Sequence, residues 1–209
     1  MKTRIFNLII IDESGSMYSI KKQAIDNVNE TIQTIRAGQK KHEEQEHYVS
    51  LVTFNDEVKR IYECVPVDEV KELTADTYCP DCYTALYDAM GISLNALRKK
   101  VAQDDKVLVT IVTDGWENAS REYRREDIKA FVEELKDKGW VFAYIGANHD
   151  VEDVASSLSI SNALAFEATC EGTNEMSQKL NQCRSSYFDR IASGFSSSVD
   201  DNSDFFDDF

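Results

Sequence analysis

The sequence predicts an α/β fold in which a mostly parallel, doubly wound sheet is covered by helices on both faces. Three observations carry this. Apolar runs at Ile5–Ile11, broken only by Asn7, at Val107–Val112 and at Trp140–Ile145 do not alternate with polar residues, which suits strands buried on both faces. Stretches of helical periodicity separate these runs, with short connections between them, as in consecutive strand–helix units. Finally, Asn55 and Asp56 lie between Tyr48–Phe54 and Val58–Tyr62, a hairpin pattern that places one antiparallel strand at a sheet edge.

In order, Ile5–Ile11 is the first strand, and Ile20, Ala24, Ile25, Val28, Ile32 and Ile35 recur at helical spacing up to Gly38, read as the stop. Lys40 to Glu46 reads as a solvated loop that leaves His42 and His47 exposed. After the hairpin, Pro66 and Pro80 flank a weak helical signal. Leu86, Ala89, Met90, Ser93 and Leu97 then share a small, apolar helical face. Beyond the Val107–Val112 strand, Ile128, Phe131, Val132 and Leu135 mark a helix closed by Gly139, and Trp140–Ile145 a strand closed by Gly146. A short helix over Val151–Leu158, a brief strand over Ala163–Phe166 and a helix bearing Met176, Leu180, Cys183 and Tyr187 complete the fold.

The 209 residues suffice for one domain with a full core, expected over residues 1–192, followed by an acidic, aromatic tail over 193–209. A formal net charge of -15 disfavours direct binding to nucleic acid or anionic membranes and favours divalent cations or basic partners. Five cysteines do not make a secreted disulfide framework. The first apolar run is too short, and too interrupted by Asn7 and Asp12, for a signal peptide, and no stretch is apolar enough to span a bilayer. The expected setting is the cytoplasm.

The chemistry concentrates where strands end. Asp12, Ser14 and Ser16 follow the first strand at alternate positions, with Gly15 between the serines to permit a tight turn. One carboxylate and two hydroxyls are hard ligands, better suited to a small octahedral cation than to zinc. Val107–Val112 also ends in an acidic turn, Thr113-Asp114-Gly115. In open α/β sheets, ligands bind outside the carboxyl ends of strands where strand order reverses.

Asp12-x-Ser14-x-Ser16, Thr84 in YTALYDAMG and the Thr113-Asp114-Gly115 turn together resemble the metal-ion-dependent adhesion site of von Willebrand factor A domains. The resemblance covers roughly residues 4 to 190 and implies a Rossmann-like sheet with one antiparallel edge strand. It implies further that Ser14, Ser16 and Thr84 offer hydroxyls to Mg2+ or Mn2+, with Asp12 and Asp114 holding the ion directly or through water. The implied function is a non-enzymatic protein-interaction module whose partner supplies an Asp or Glu to the metal. Glu13 and Trp116 depart from the commonest form of the motif, and Glu13, Trp116 and Glu117 are expected on the partner-binding rim.

Other readings compete. A metal-dependent phosphate-handling enzyme is the alternative of a different class, but there is no Walker loop, no Gly-rich dinucleotide fingerprint and no second Asp flanking a nucleophile. His149, beside Asp150, is the one histidine expected near the ligand-binding edge. Cys79 and Cys82 form a CxxC that could be a redox dithiol with a lowered thiol pKa, or an ordinary loop. The stretch GFSSSVDDNSDFFDDF from Gly194 carries no basic residue and is expected not to pack. It resembles the acidic, phenylalanine-ended tip of single-stranded DNA-binding proteins, which implies an adaptor that recruits DNA-processing proteins. Alternatively, Asp207, Asp208 and Phe209 act within the molecule or between copies, presenting a carboxylate to the metal and giving autoinhibition or self-association.

Overall fold

Ten residues, Thr3–Asp12, form β1, and the two-residue period of a strand sends Ile5, Ile9 and Ile11 into one core and Phe6, Leu8 and Ile10 into another. That is why the sequence shows a continuous apolar run there. In the computed structural model, residues 2–147, 150–194 and 205–206 are described. The remaining strands and α-helices are α1 (Lys21–Lys41), β2 (Gln45–Phe54), β3 (Val58–Pro66), α2 (Leu86–Leu97), β4 (Lys106–Thr113), α3 (Arg125–Lys136), β5 (Trp140–Gly146), α4 (Val151–Ser157), β6 (Asn162–Ala165) and α5 (Cys170–Ala192). The six strands lie in the order β3-β2-β1-β4-β5-β6. β3 pairs antiparallel with β2, and every other pairing is parallel. The expected fold class is the one observed.

Helices α1 and α5 cover the face of Ile5 and Ile9, and α2, α3 and α4 cover the face of Phe6 and Leu8. No helix among the described residues is long and apolar enough to cross a membrane.

Local expectations differ at several places. Gly38 does not stop α1. It lies inside the helix because the chain there meets α5: a Cβ on Gly38 would sit 2.6 Å from Cδ2 of Phe188. Gln45 and Glu46 belong to β2 rather than to a solvated loop, and His47 is 1% exposed. Its Nε2 lies 3.0 Å from Oε1 of Gln45, and its ring meets that of Phe188 edge-on at 4.4 Å. His42 is half-buried and contacts Asp189 at 2.6 Å. Between the prolines only Val67–Glu69 is helical, as a single 3-10 turn.

Arg184 of α5 is fully buried, and its guanidinium donates to Oδ1 of Asn7 in β1 at 3.3 Å and to Oγ1 of Thr110 in β4 at 2.9 Å. No carboxylate pairs with it among the described residues, and burial pushes its pKa down to about 10. Asn7, which interrupts the apolar run of β1, is the acceptor that this cation needs.

The chain leaves a second trace on this face. Phe205 and Phe206 are 1% and 8% exposed, within the core shared by α1 and α5. The expectation that nothing after residue 193 packs is therefore corrected for these two residues, because two adjacent phenylalanines bring enough apolar surface to dock despite their acidic neighbours. Residues 195–204 and 207–209 lie outside the described residues.

Two outcomes test this packing. Gly38→Ala gains about 1 kcal/mol in helix propensity but forces a methyl onto a buried ring, at a cost of about 1–3 kcal/mol. The expected result is a lower urea midpoint; a higher one would show that Phe188 yields. His47 is held neutral, since burial first, and then the positive charges of Arg184 and His42, push its pKa down to about 3. The folded pKa lies below the unfolded value, so this contribution is fully present above about pH 6.5 and is lost as pH falls toward 3, by at most about 1.4 kcal/mol per pH unit. His47→Gln should flatten the fall in urea midpoint between pH 6 and pH 4; an unchanged acid slope would place the titration elsewhere.

Candidate functional site

Strand order reverses at β1, since the chain leaves toward β2 and returns on the other side as β4. Ile11 pairs in register with Val112, so Asp12 and Thr113 emerge side by side at the carboxyl ends of two buried strands. Asp12 is fully buried, and its carboxylate joins the two strand ends. Oδ1 accepts from the backbone N–H of Ser14 at 2.7 Å, and Oδ2 accepts from Oγ1 of Thr113 at 2.5 Å. Burial first, and to a smaller extent the nearby charge of Asp114, push the Asp12 pKa up to about 6 against the pull of these hydrogen bonds.

The other candidate ligands converge on the same spot. Oγ of Ser14 lies 3.1 Å from Oγ of Ser16, which donates to Oδ1 of Asp114 at 2.5 Å. Gly115 marks the centre of the group: a Cβ placed there would meet Oγ1 of Thr84 at 3.1 Å, Oγ of Ser16 at 3.4 Å and Oδ2 of Asp12 at 3.7 Å. The structure thus brings together all five residues that the sequence proposed as metal ligands. Ser14, Thr84 and Asp114 are buried, whereas Ser16 is exposed.

The segment 78–85 carries Thr84 to this point by being tied to the end of β1. The hydroxyl of Tyr78 donates to the carbonyl of Asp12 at 2.5 Å, Asp81 N–H to the carbonyl of Glu13 at 3.0 Å, and Gly15 N–H to the carbonyl of Cys82 at 3.1 Å. Cys82 accepts a left-handed φ of 65° to make that last contact, a conformation costing an ordinary residue about 1–2 kcal/mol. From the other side, Asn118 and Ala119 donate to the carbonyl of Thr84, and Oδ1 of Asn118 accepts from Thr84 N–H at 2.9 Å.

Two residues expected on the rim are engaged internally instead. Glu13 is 1% exposed; its carboxylate accepts from Cys79 N–H at 2.5 Å and lies 3.5 Å from Nζ of Lys59. Glu117 is half-buried and accepts from the N–H groups of Tyr87, Ala119 and Ser120 and from the Ser120 hydroxyl. Both are corrected for one reason: an acidic side chain beside loop backbone or the first turn of a helix accepts from N–H groups for which no strand or helix carbonyl is available. Asp88, which the sequence reading passed over, does the same for three consecutive N–H groups, Arg121 to Tyr123, at 2.7 to 2.9 Å. Trp116, by contrast, is 58% exposed. With Tyr18 and Tyr83 it makes up the exposed large hydrophobic residues among those described. Tyr18 lies two residues after Ser16, Tyr83 directly before Thr84 and Trp116 two residues after Asp114, so each neighbours one of the converging segments in the chain. The signal was present in sequence as an aromatic within two residues of each motif.

The CxxC pair is free and exposed. Burial, together with the charges of Asp56 and Asp81, pushes the Cys82 thiol up, opposite to the lowered pKa expected of a redox dithiol, and α2 begins only at Leu86. His149 and the tail residues Asp207, Asp208 and Phe209 lie outside the described residues.

No group of three or more His, Cys, Asp or Glu converges to hold a metal among the described residues. The donor set at Gly115 is different in kind, with two carboxylates and three hydroxyls. Such oxygens suit a hard divalent cation, and two carboxylates close enough to raise the pKa of one are electrostatically favourable to a cation between them.

The family model of the von Willebrand factor type A domain matches residues 8–181. Among solved structures, the PilB minor pilin from Streptococcus sanguinis superposes with a TM-score of 0.59 at 13% identity, covering 90% of this chain and 63% of that one. Proximal thread matrix protein 1 from the mussel byssus, with a zinc-occupied MIDAS motif, gives 0.57 at 13% identity over 88% of this chain and 46% of that one. A von Willebrand factor type A protein from Catenulispora acidiphila gives 0.51 at 15% identity, over 85% and 42%. The chain therefore spans less than two thirds of each of these proteins, and at such identities the likeness is one of fold. No curated protein sequence matches the chain.

Glu13→Ala should leave Cys79 N–H and Lys59 without their acceptor and loosen the Thr84 segment, at a cost of about 1–3 kcal/mol. Faster amide exchange at Cys79 and Asp81 and a lowered urea midpoint are expected; unchanged exchange would show that the segment is held without this carboxylate.

Proposed function

Because this chain belongs to the von Willebrand factor type A family, we propose that it is a protein-interaction module that docks an acidic residue of a partner through Mg2+ or Mn2+ at Asp12, Ser14, Ser16, Thr84 and Asp114. Domains of this family are typically interaction modules rather than enzymes. The observation that carries the reading is that the Asp12 and Ser16 oxygens of one segment and the Thr84 hydroxyl of a second cluster around Gly115 of a third. A bound divalent cation would supply an electrophilic position at which a carboxylate oxygen of the partner replaces water.

The chain's own residues account for the rest. Asp12, held by Ser14 and Thr113, supplies negative charge without freedom to swing away. Three neutral hydroxyls keep the donor set from saturating the ion's charge, which leaves it attractive to one more carboxylate. Tyr18, Tyr83 and Trp116 offer apolar contact around that point, and aromatic side chains of this kind commonly anchor interfaces. Selectivity is then set by what flanks the partner's acid.

The test is thermal melting with Mg2+, Mn2+ or excess chelator for the wild type and for Asp12→Ala, Thr84→Ala and Gly115→Ala. At metal concentrations near 100 times the dissociation constant, about 2.7 kcal/mol of stabilisation is expected in the wild type, and little or none in the variants. An undiminished metal response in both Asp12→Ala and Thr84→Ala would sink the site. Capture of partners from a lysate in magnesium and again in chelator addresses the second half of the reading. Partners that persist in chelator would move recognition to another surface.

A further inference from the structure

Phe205 and Phe206 are separated from the end of α5 by more than ten residues of chain, yet they are seated against the domain at defined contacts. The backbone N–H of Phe205 donates to Oδ1 of Asn162 at 3.0 Å. Asn162 opens β6, the last strand of the sheet, and is 3% exposed. Its amide nitrogen donates to the carbonyl of Phe142 in β5 at 2.9 Å, so the side chain is oriented by the sheet with its oxygen toward the phenylalanine backbone. The Phe205 ring meets Tyr187 of α5 near edge-on at 6.2 Å, and Phe206 meets Phe205 edge-on at 5.0 Å. Lys179 of α5 places Nζ 5.9 Å from the Phe206 ring centroid. A backbone-reading amide, an aromatic wall and a cation over the second ring are the parts of a peptide-binding site.

We propose that the surface formed by Asn162, Lys179 and Tyr187, where α5 meets the start of β6, is a docking site for an aromatic pair carried on an acidic segment, occupied here in cis by Phe205 and Phe206. The site is distinct from the oxygen cluster at Gly115, and the inference does not depend on the metal reading.

Charge opposes this docking. The chain carries a net charge of -15, and the segment supplies Asp200, Asp201, Asp204, Asp207 and Asp208 with no basic residue. The cleft that continues past Lys179 is lined by Glu167, Glu171 and Glu175. Association is therefore driven by aromatic burial and one backbone hydrogen bond, against like-charge repulsion that salt screens over about 10 Å at 0.1 M. On this reading docking strengthens as ionic strength rises, the reverse of a charge-driven contact, and a second copy of the segment competes with the first for the same contacts.

The experiment uses a fluorescein-labelled peptide of residues 200–209 and the full chain carrying Phe205→Ala and Phe206→Ala together. Anisotropy should show the variant binding the peptide, the wild type binding it at least about tenfold more weakly because the cis segment competes at high effective concentration, and a peptide with both phenylalanines replaced not binding. Affinity should hold or rise from low to high sodium chloride. A cooperatively melting variant that binds no peptide, equal binding by wild type and variant, or affinity that falls with salt would each overturn the proposal. Should the variant fail to fold, amide exchange on the unmodified chain decides: excess peptide must deprotect Phe205 and Phe206 while β4 stays protected, and unchanged protection at Phe205 counts against the site.

Discussion

A buried carboxylate cannot be left without donors, and Asp12 is such a group at the seam between β1 and β4. An unpaired charge there would be strongly unfavourable, so the Ser14 N–H from one strand end and the Thr113 hydroxyl from the other are both committed to it. The crevice at the reversal of strand order is thereby fixed in width. The backbone carbonyl of the same residue takes the Tyr78 hydroxyl, which anchors the segment that delivers Thr84. The five oxygen-bearing side chains are close together because each segment answers to a hydrogen-bonding need at the end of β1.

The carboxylates around this crevice divide by task. Glu13, Asp88 and Glu117 are consumed by backbone N–H groups and set loop shape. Asp12 and Asp114 face the hydroxyl cluster. Sequence distance from the strand ends does not separate these roles, since Glu13 is adjacent to Asp12 and Glu117 is three residues from Asp114. What separates them is which loop passes within reach, a property of the folded chain.

That contrast explains what the sequence could and could not convey. The continuous apolar runs of β1, β4 and β5 made the buried strands legible, because burial on both faces leaves no alternative composition. The motifs at Asp12, Thr84 and Asp114 were legible as a set because they end or begin regular elements. Gly38 was misread as a helix end, since a glycine that admits Phe188 from a distant helix looks locally like one that stops the chain. Arg184 was not singled out, as a charged residue on a mostly apolar helical face gives no sign that Asn7 and Thr110 await it. Phe205 and Phe206 were hidden by their acidic surroundings, which argue against packing on average while two rings suffice in particular.

The chain holds two tryptophans, and the fold has assigned them to opposite environments. Trp140 is 3% exposed at the start of β5, in the core, while Trp116 is 58% exposed beside Asp114. Their fluorescence is consequently divided by colour and by access: blue-shifted emission from an indole shielded from aqueous quenchers, and red-shifted emission from one that iodide reaches. Optical signals from the mouth of the crevice and from the interior of the sheet can thus be separated in the unlabelled protein.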